Sequence, residues 1–156
     1  METQECCPKF DPAPWDGEEF VWHGKPFIKD NVCQIMHVPL NFGKVIVRMM
    51  KTVEQAGAQA DEPLMLALDP SPWRCELYMA VKGPVEGAEN VALSGTFLTK
   101  VFDGPFKDCG KFFAEMQDFA RSKGKQPGTI YFYYTTCPKC AKKYGHNYMV
   151  GFVQVA

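Results

Sequence analysis

The stretch VALSGTFLTKVFDGPFKDCGKFFAEMQDFARSKG, residues 91–124, decides the fold. Residues 91–102 are typical of a long strand, and Asp103-Gly104-Pro105 is typical of a helix start because proline is tolerated in the first turn. The helix that follows keeps its apolar residues on one stripe and ends at Gly124. The stripe consists of Phe106, Cys109, Phe112, Phe113, Met116, Phe119 and Ala120.

The chain before this stretch contains a second helix with the same kind of pattern. Asn41 offers an N-cap and Gly57 a C-terminal stop. Between them the apolar residues again form one stripe, made of Val45, Ile46, Met49, Val53 and Ala56. Residues 20–23 and 32–38 are predicted as two short strands ahead of this helix, ended by Gly24 and Pro39.

Extended segments follow each helix. Residues 64–68 and 74–81 are predicted strands separated by the turn DPSP at 69–72. Residues 129–135 and 148–155 are the strands predicted after the second helix.

Both halves of the chain therefore run strand, helix, strand, strand. We expect an α+β domain of duplicated β-α-β-β modules, with two helices against an antiparallel sheet. The pseudo-repeats span about residues 32–83 and 91–155. They lie in a single domain of residues 18–156, preceded by a proline-rich arm of residues 1–17.

Composition and charge narrow the classes of function. The chain has 156 residues, of which 46% are hydrophobic and 22% charged, the balance of a globular domain. Seventeen basic residues against eighteen acidic ones leave a net charge of −1, so we expect no direct nucleic-acid partner. No apolar run is long enough to span a bilayer, and the acidic residues 1–5 do not resemble a secretory signal. These features predict a cytoplasmic protein with no membrane partner, and they leave its oligomeric state open.

Seven cysteines, an odd number, favour free thiols or a metal site over a disulfide scaffold. Cys137 and Cys140 form a CxxC motif, which in redox proteins lowers the pKa of a thiolate. Too few residues follow it for a thioredoxin-like domain. Zinc is an alternative, with Cys6-Cys7 or His146 completing the ligands, although adjacent cysteines fit poorly on one ion. We expect no cofactor, and keep buried thiols in a tight turn as the simplest interpretation.

An aromatic strand and two glutamates are candidate site residues. Alternation along the strand places Tyr131 and Tyr133 on one face, where phenol rings suit a cavity for a planar or cationic ligand, or simply fill the sheet. Glu76 is predicted to share a strand face with Tyr78. Glu115 lies at the rim of the second apolar stripe. A carboxylate among aromatics has a raised pKa and serves as acid, base or cation partner; the alternative for both glutamates is a solvated surface.

Other catalytic motifs are missing from the sequence. Ser94, in LSGT, lacks the GxSxG elbow of serine hydrolases, and no phosphate-binding loop occurs. His23, His37 and His146 are dispersed and are interpreted as structural.

Four motifs carry a resemblance to a known family. They are CCPKF at 6–10, HVPLN at 37–41, LSGTF at 93–97 and YTTCPKC at 134–140. With the repeated strand–helix–strand–strand order, they resemble the GyrI-like small-molecule-binding superfamily, and more closely a bacterial branch of it often labelled hydrolase. The resemblance covers nearly the whole chain, and the Cys-Cys-Pro and Cys-Pro-x-Cys segments are its most specific part.

The resemblance implies a pseudo-twofold domain with a ligand cleft between its halves, lined by aromatics and holding a glutamate. Some GyrI-like proteins bind cationic drugs as sensors, and others hydrolyse cyclopropane-bearing genotoxins by adding water across the strained ring. The sensors commonly carry a glutamate two residues before a tyrosine, a position occupied here by Tyr131. The acidic role is therefore expected elsewhere or is absent.

We therefore expect a stand-alone GyrI-like domain that binds a planar, mostly apolar or aromatic small molecule and hydrolyses it, with a non-catalytic sensor or sequestering protein as the alternative. Glu76 or Glu115 would act on water, and Tyr131 and Tyr133 would donate to the oxygen that gains charge. The predicted catalytic residues are Glu115, Glu76 and Tyr133. The predicted ligand-binding residues are Trp73, Tyr78, Phe112 and Tyr131. A further prediction is that the Cys6-Cys7 arm packs against the Cys137–Cys140 turn.

Overall fold

The computed structural model describes residues 11–35, 38–39, 42–60, 64–71, 74–104, 108–134, 145–146 and 148–155. The elements in chain order are β1 (Glu19–Ile35), β2 (Val38–Pro39), α1 (Phe42–Ala56), β3 (Met65–Ser71), β4 (Arg74–Ala80), β5 (Glu89–Asp103), α2 (Cys109–Ser122), β6 (Pro127–Tyr134) and β7 (Tyr148–Val155). Within these ranges the chain has two helices and antiparallel strand pairs, so the mixed α and β content predicted from the sequence is confirmed.

The chain divides into two compact units. The contiguous unit comprises residues 22–94, and the split unit comprises residues 1–21 together with 95–156. The boundaries fall inside two strands, after Val21 in β1 and after Ser94 in β5.

In the contiguous unit, β4 lies between β1 and β3 and is antiparallel to both. The register places Asp30 opposite Leu77 and Lys29 opposite Tyr78. Arg48 of α1 donates to Asp30, with its Nε 2.9 Å from Oδ2, so α1 lies on the sheet face that carries Asp30 and Leu77. The apolar side chains buried in this unit include Ile28, Val32, Val45, Met49, Val53, Cys75 and Leu77.

In the split unit, β7 lies between β5 and β6 and is again antiparallel to both. Helix α2 covers one face of this sheet, because Met116 lies directly over Gly151 of β7. The core cluster on that side contains Leu98, Phe102, Phe112, Met116, Ala120, Ile130, Phe132, Met149 and Val153.

Both helices end where the sequence predicts. Gly57 has a φ of 63° and Gly124 a φ of 71°, the left-handed conformation that glycine adopts without steric cost. After α1, the Gly57 N–H donates to the Glu54 carbonyl and the Ala58 N–H to the Val53 carbonyl, which is the pair of bonds of a Schellman motif. The same two bonds follow α2.

Several predicted boundaries are wrong. The predicted strand at 20–23 and residues 32–35 of the next one belong to a single strand, β1, which continues through Gly24, whereas Val38 belongs to β2. Pairing with β4 from Phe27↔Ala80 to Cys33↔Arg74 keeps the polar middle of β1 extended. Strand β3 runs through Ser71 rather than ending before a turn at 69–72, and α2 begins at Cys109, later than Asp103-Gly104-Pro105 predicts.

Residues 11–17 form turns that bind to β5. The Trp15 and Asp16 amides donate to the Pro12 carbonyl, and the Gly17 amide donates to the Thr99 carbonyl. The Thr99 hydroxyl, fully buried, donates to the Trp15 carbonyl. This part of the predicted arm is therefore ordered against the split unit, whereas residues 1–10 lie outside the described ranges.

No helix in the described part of the chain has the length and apolar character that crossing a membrane requires.

Candidate functional site

Glu76 and Tyr78 lie on the sheet face of the contiguous unit opposite α1. Successive side chains of a strand point to opposite faces, so Cys75 and Leu77 share the α1 face while Glu76 and Tyr78 share the other. The Tyr78 hydroxyl donates to Glu76 Oε2 at 2.9 Å, which shows that both side chains occupy the same face as predicted. Glu76 and Tyr78 are nevertheless both buried, so the solvated-face alternative for Glu76 is wrong.

Two cations lie against the other oxygen of Glu76. Lys29 Nζ is 3.1 Å from Oε1, and Arg74 Nη2 is 3.4 Å from the same atom. Strand register explains both contacts, because Lys29 of β1 pairs with Tyr78 and Arg74 precedes Glu76 by two residues on β4. Both carboxylate oxygens of Glu76 are therefore engaged.

The pKa of Glu76 shifts in the direction opposite to the one predicted from the sequence. Burial by itself would raise the pKa of this carboxyl group, but hydrogen bonds from Lys29 and Tyr78 and the charges of Lys29 and Arg74 outweigh burial and lower the pKa below its ordinary value. Glu76 is consequently ionised at neutral pH. It is suited to accept hydrogen bonds or to stabilise positive charge, and unsuited to act as a general acid.

Lys29 joins Glu76 to a second carboxylate. Its Nζ lies 3.5 Å from Glu89 Oε2, on a side chain that is well exposed. The hydrogen bond to Glu76 raises the pKa of Lys29, with the charges of Glu76 and Glu89 adding to it against the cost of burial. Lys29 therefore stays an ammonium group at neutral pH.

Tyr131 and Tyr133 lie on the face of the split-unit sheet opposite α2. The register pairs Tyr131 with Phe152 and Tyr133 with Val150, whereas Phe132 pairs with Gly151 beneath Met116 of α2. Tyr133 packs edge-on against Trp15 at 5.6 Å between ring centroids, and Trp15 also contacts Phe152 at 6.1 Å.

Tyr131 packs against Phe97 on this same face, at 6.3 Å between ring centroids. The two tyrosines therefore share one aromatic face, as alternation predicts.

Glu115 and Phe112 lie on α2, on the opposite side of that sheet. Phe112 stacks on Phe102 at 4.6 Å between ring centroids and is buried in the core cluster, so packing accounts for its ring. Glu115 is half-buried. Within the split unit, α2 carries Glu115 on the face of the sheet opposite the one that carries Tyr131 and Tyr133.

Several predicted residues lie outside the described ranges. These are Trp73, the Cys6-Cys7 pair, Cys137 and Cys140, so the predictions of stacking by Trp73, of zinc, and of arm-to-turn packing stay predictions. Among the residues that are described, no three histidine, cysteine or acidic side chains are grouped so as to hold a metal ion.

Lys29 and Arg74 were not among the site residues predicted from the sequence. Arg74 stands two residues before Glu76, a spacing that places both on one strand face and could have indicated the pair. Lys29 is far away in the chain, and only the β1–β4 register brings it to Glu76. A second polar pair was also missed: His146 Nδ1 lies 2.7 Å from Asp103 Oδ2, and the His146 ring stacks on Tyr148.

Comparison with known proteins identifies the family. The family model described as bacterial hydrolase matches residues 1–155, nearly the entire chain. The chain belongs to this bacterial hydrolase family. Among proteins with curated descriptions, none matches it in sequence.

Solved structures from Listeria innocua share the fold of this family member. An uncharacterized conserved protein matches with a TM-score of 0.65 at 11% identity, over 90% of this chain and 92% of its own. Two structures of hydrolases match over the same shares of the chains, with TM-scores of 0.64 and 0.63 at 13% and 12% identity. At these identities the similarity establishes the fold alone.

Proposed function

We propose that this member of the bacterial hydrolase family binds a planar, mostly apolar small molecule and adds water across a strained ring in it, as expected for a cyclopropane-bearing genotoxin. The observation that carries the proposal is the carboxylate of Glu76, buried on the face of its sheet opposite α1 and hydrogen-bonded by Tyr78. The family membership supports hydrolysis as the reaction class.

The chemistry requires a group that holds water against a carbon of the ring. The water oxygen bonds to that carbon, the ring C–C bond breaks, and its electron pair moves to a conjugated carbonyl oxygen, which gains a proton as the attacking water loses one. Glu76 is a weak base because its pKa is lowered, so its contribution is to orient the water and stabilise the positive charge that develops on it. Tyr78 holds Oε2 in place for this role.

The proposal assigns the water to Glu76 rather than Glu115, since Glu115 lies on the helix side of its own sheet. The donor roles expected for Tyr131 and Tyr133 from the sequence stay predictions, which Phe substitutions at each position test separately. Trp73 and Tyr78 keep their expected role of binding the ligand by stacking on its rings. We assign no ligand-binding role to Phe112.

We also propose that the two units are structural repeats, as in GyrI-like proteins. Apart from the two-residue β2, each contains a strand, a helix and two strands in that order, and in each the last of these three strands pairs with both of the others. A duplication accounts for this shared topology.

Turnover of a cyclopropane-containing dienone probe tests the proposed reaction. We expect wild type to consume the probe with formation of the water adduct, and Glu76→Gln to slow this by about 100-fold or more, the usual loss when a group that stabilises developing charge is removed. Glu86→Gln is the matched control, because Glu86 is an exposed glutamate of the same unit. Equal turnover by wild type and Glu76→Gln would rule out the assigned role.

A non-catalytic sensor or sequestering protein is the second candidate. It is favoured by the full engagement of Glu76 with Lys29, Arg74 and Tyr78, because a carboxylate held this way also serves simply to stabilise the sheet. A probe that is bound by the wild-type protein and never consumed would select this candidate over the hydrolase.

A further inference from the structure

Four charged side chains of the contiguous unit form a balanced cluster around Glu76. Lys29 bridges Glu76 and Glu89, and Arg74 adds a second cation beside Glu76. Among the described residues, Lys29 of β1 and Arg74 and Tyr78 of β4 contact Glu76 directly, and Glu89 of β5 is linked to it through Lys29. The cluster holds two cations and two carboxylates, so it carries no net charge.

Both carboxylate oxygens of Glu76 already have partners, so a positively charged ligand would have to compete with them. Oε1 lies against Lys29 and Arg74, and Oε2 accepts from Tyr78. The Glu76 side chain is only 11% exposed, so a cation from a ligand would have to displace one of these partners and leave it without its counter-charge. The attraction of a buried carboxylate for cations is thus satisfied from within the chain.

The same cluster retains capacity to donate hydrogen bonds. An ammonium group has three N–H donors and a guanidinium five, and neither accepts. Lys29 contacts two carboxylates and Arg74 one among the described residues, and the Arg74 side chain is 57% exposed. Such groups favour a ligand that presents an oxygen acceptor.

We propose that Lys29 is a specificity-determining residue, which takes the place of a ligand cation beside Glu76 and so restricts the site to planar ligands that lack positive charge and carry an oxygen acceptor. This inference rests on the proposed function, because it names the substrate class of the same site.

Three pyrene probes of matched size test the inference. They are pyrene-1-carboxylate, pyrene-1-methanol and the cationic pyren-1-ylmethylamine, with binding followed by pyrene fluorescence. We expect wild type to bind the carboxylate and the alcohol at least about tenfold more tightly than the amine. Lys29→Met is expected to reverse this order, and Lys29→Arg, which keeps the cation, to preserve it.

Two controls show whether the reversal depends on Glu76. Lys51→Met removes the same charge from an exposed position on α1 and should leave the order of affinities as in wild type. The double variant Lys29→Met with Glu76→Gln should lose the gain in amine binding, because the carboxylate that attracts the amine is gone. Circular dichroism of each variant confirms that it is folded.

The outcomes separate this inference from the proposed function. Tight binding of the amine by wild type, or an unchanged order in Lys29→Met, would overturn the role of Lys29 while leaving a small-molecule site in place. If no probe binds, the binding function itself is contradicted. Side-chain NMR titration of Glu76 then still tests the pairing, because Lys29→Met must raise the pKa of Glu76 and an unmoved pKa would refute the contact.

Discussion

At Glu76, a carboxylate lies on a buried sheet face with donors at 2.9, 3.1 and 3.4 Å from its oxygens. Burial of a carboxyl group without partners would favour its neutral form. The donors reverse that preference here, so the group is ionised and its chemistry is that of an acceptor.

The stability contributed by Glu76 is expected to depend on pH. Its folded pKa lies below 4.5, so the stabilisation is present above that value and is lost as the pH falls through the folded pKa. The folded pKa of Lys29 lies above 10.5, so its share is present below that value and is lost as the pH rises through the folded pKa. The pair therefore stabilises the protein between these limits.

Urea unfolding of wild type and Glu76→Gln measures this contribution. We expect the variant to be less stable by about 1–3 kcal/mol at neutral pH, and the difference to shrink once the pH is well below 4.5. Glu86→Gln should match wild type throughout. A difference that stays constant over the acidic range would contradict the ion pair.

At the scale of elements, the contact of α2 with β7 depends on a glycine. A methyl group on Gly151 would come within 2.5 Å of Met116 Sδ and 2.8 Å of its Cγ. Met116 is fully buried among the core cluster, so its side chain has little room to move aside. The absence of a side chain at Gly151 is what lets the helix lie close to the sheet.

Gly151→Ala is expected to destabilise the protein by about 1–3 kcal/mol through overpacking. Thermal unfolding provides the measurement, with Gly83→Ala as control because a Cβ there meets nothing within 4 Å. Adding Met116→Val to Gly151→Ala should recover part of the loss, since it removes the atoms that clash. Gly151→Ala as stable as wild type would show that α2 does not pack in this way.

At the scale of the whole molecule, Thr99 ties two distant parts of the chain together in the split unit. Its buried hydroxyl donates to the Trp15 carbonyl, and its backbone exchanges bonds with Gly17 and Glu18. Trp15 in turn packs against Tyr133 and Phe152. The segment before β1 is thereby part of the folded unit.

Thr99→Val keeps the shape of the side chain and removes the hydroxyl. The Trp15 carbonyl would lose this donor, which is expected to cost about 1–3 kcal/mol in the free energy of unfolding. Tryptophan emission should shift to longer wavelength as Trp15 becomes more exposed to water. Thr96→Val on the same strand is the control. Unchanged stability and emission in Thr99→Val would contradict this link.

The sequence by itself determined the features that depend on near neighbours in the chain. Apolar stripes located α1 and α2, and the stops at Gly57 and Gly124 were predicted because a Schellman end needs only a few consecutive residues. Strand β7 was predicted at residues 148–155 because a run of extended-type residues is also a local pattern. Alternation on β4 correctly placed Glu76 on the same face as Tyr78.

Only the tertiary structure decided the charge state and surroundings of the candidate site. The register between β1 and β4 brings Lys29 to Glu76, and no local pattern encodes which residues of distant strands lie opposite each other. Tertiary packing likewise decided which face of the split-unit sheet α2 covers, and so placed Glu115 on one face and Tyr131 and Tyr133 on the other. Electrostatic interactions act through space, so the pKa of Glu76 follows from which strand lies next to it rather than from its neighbours in the chain.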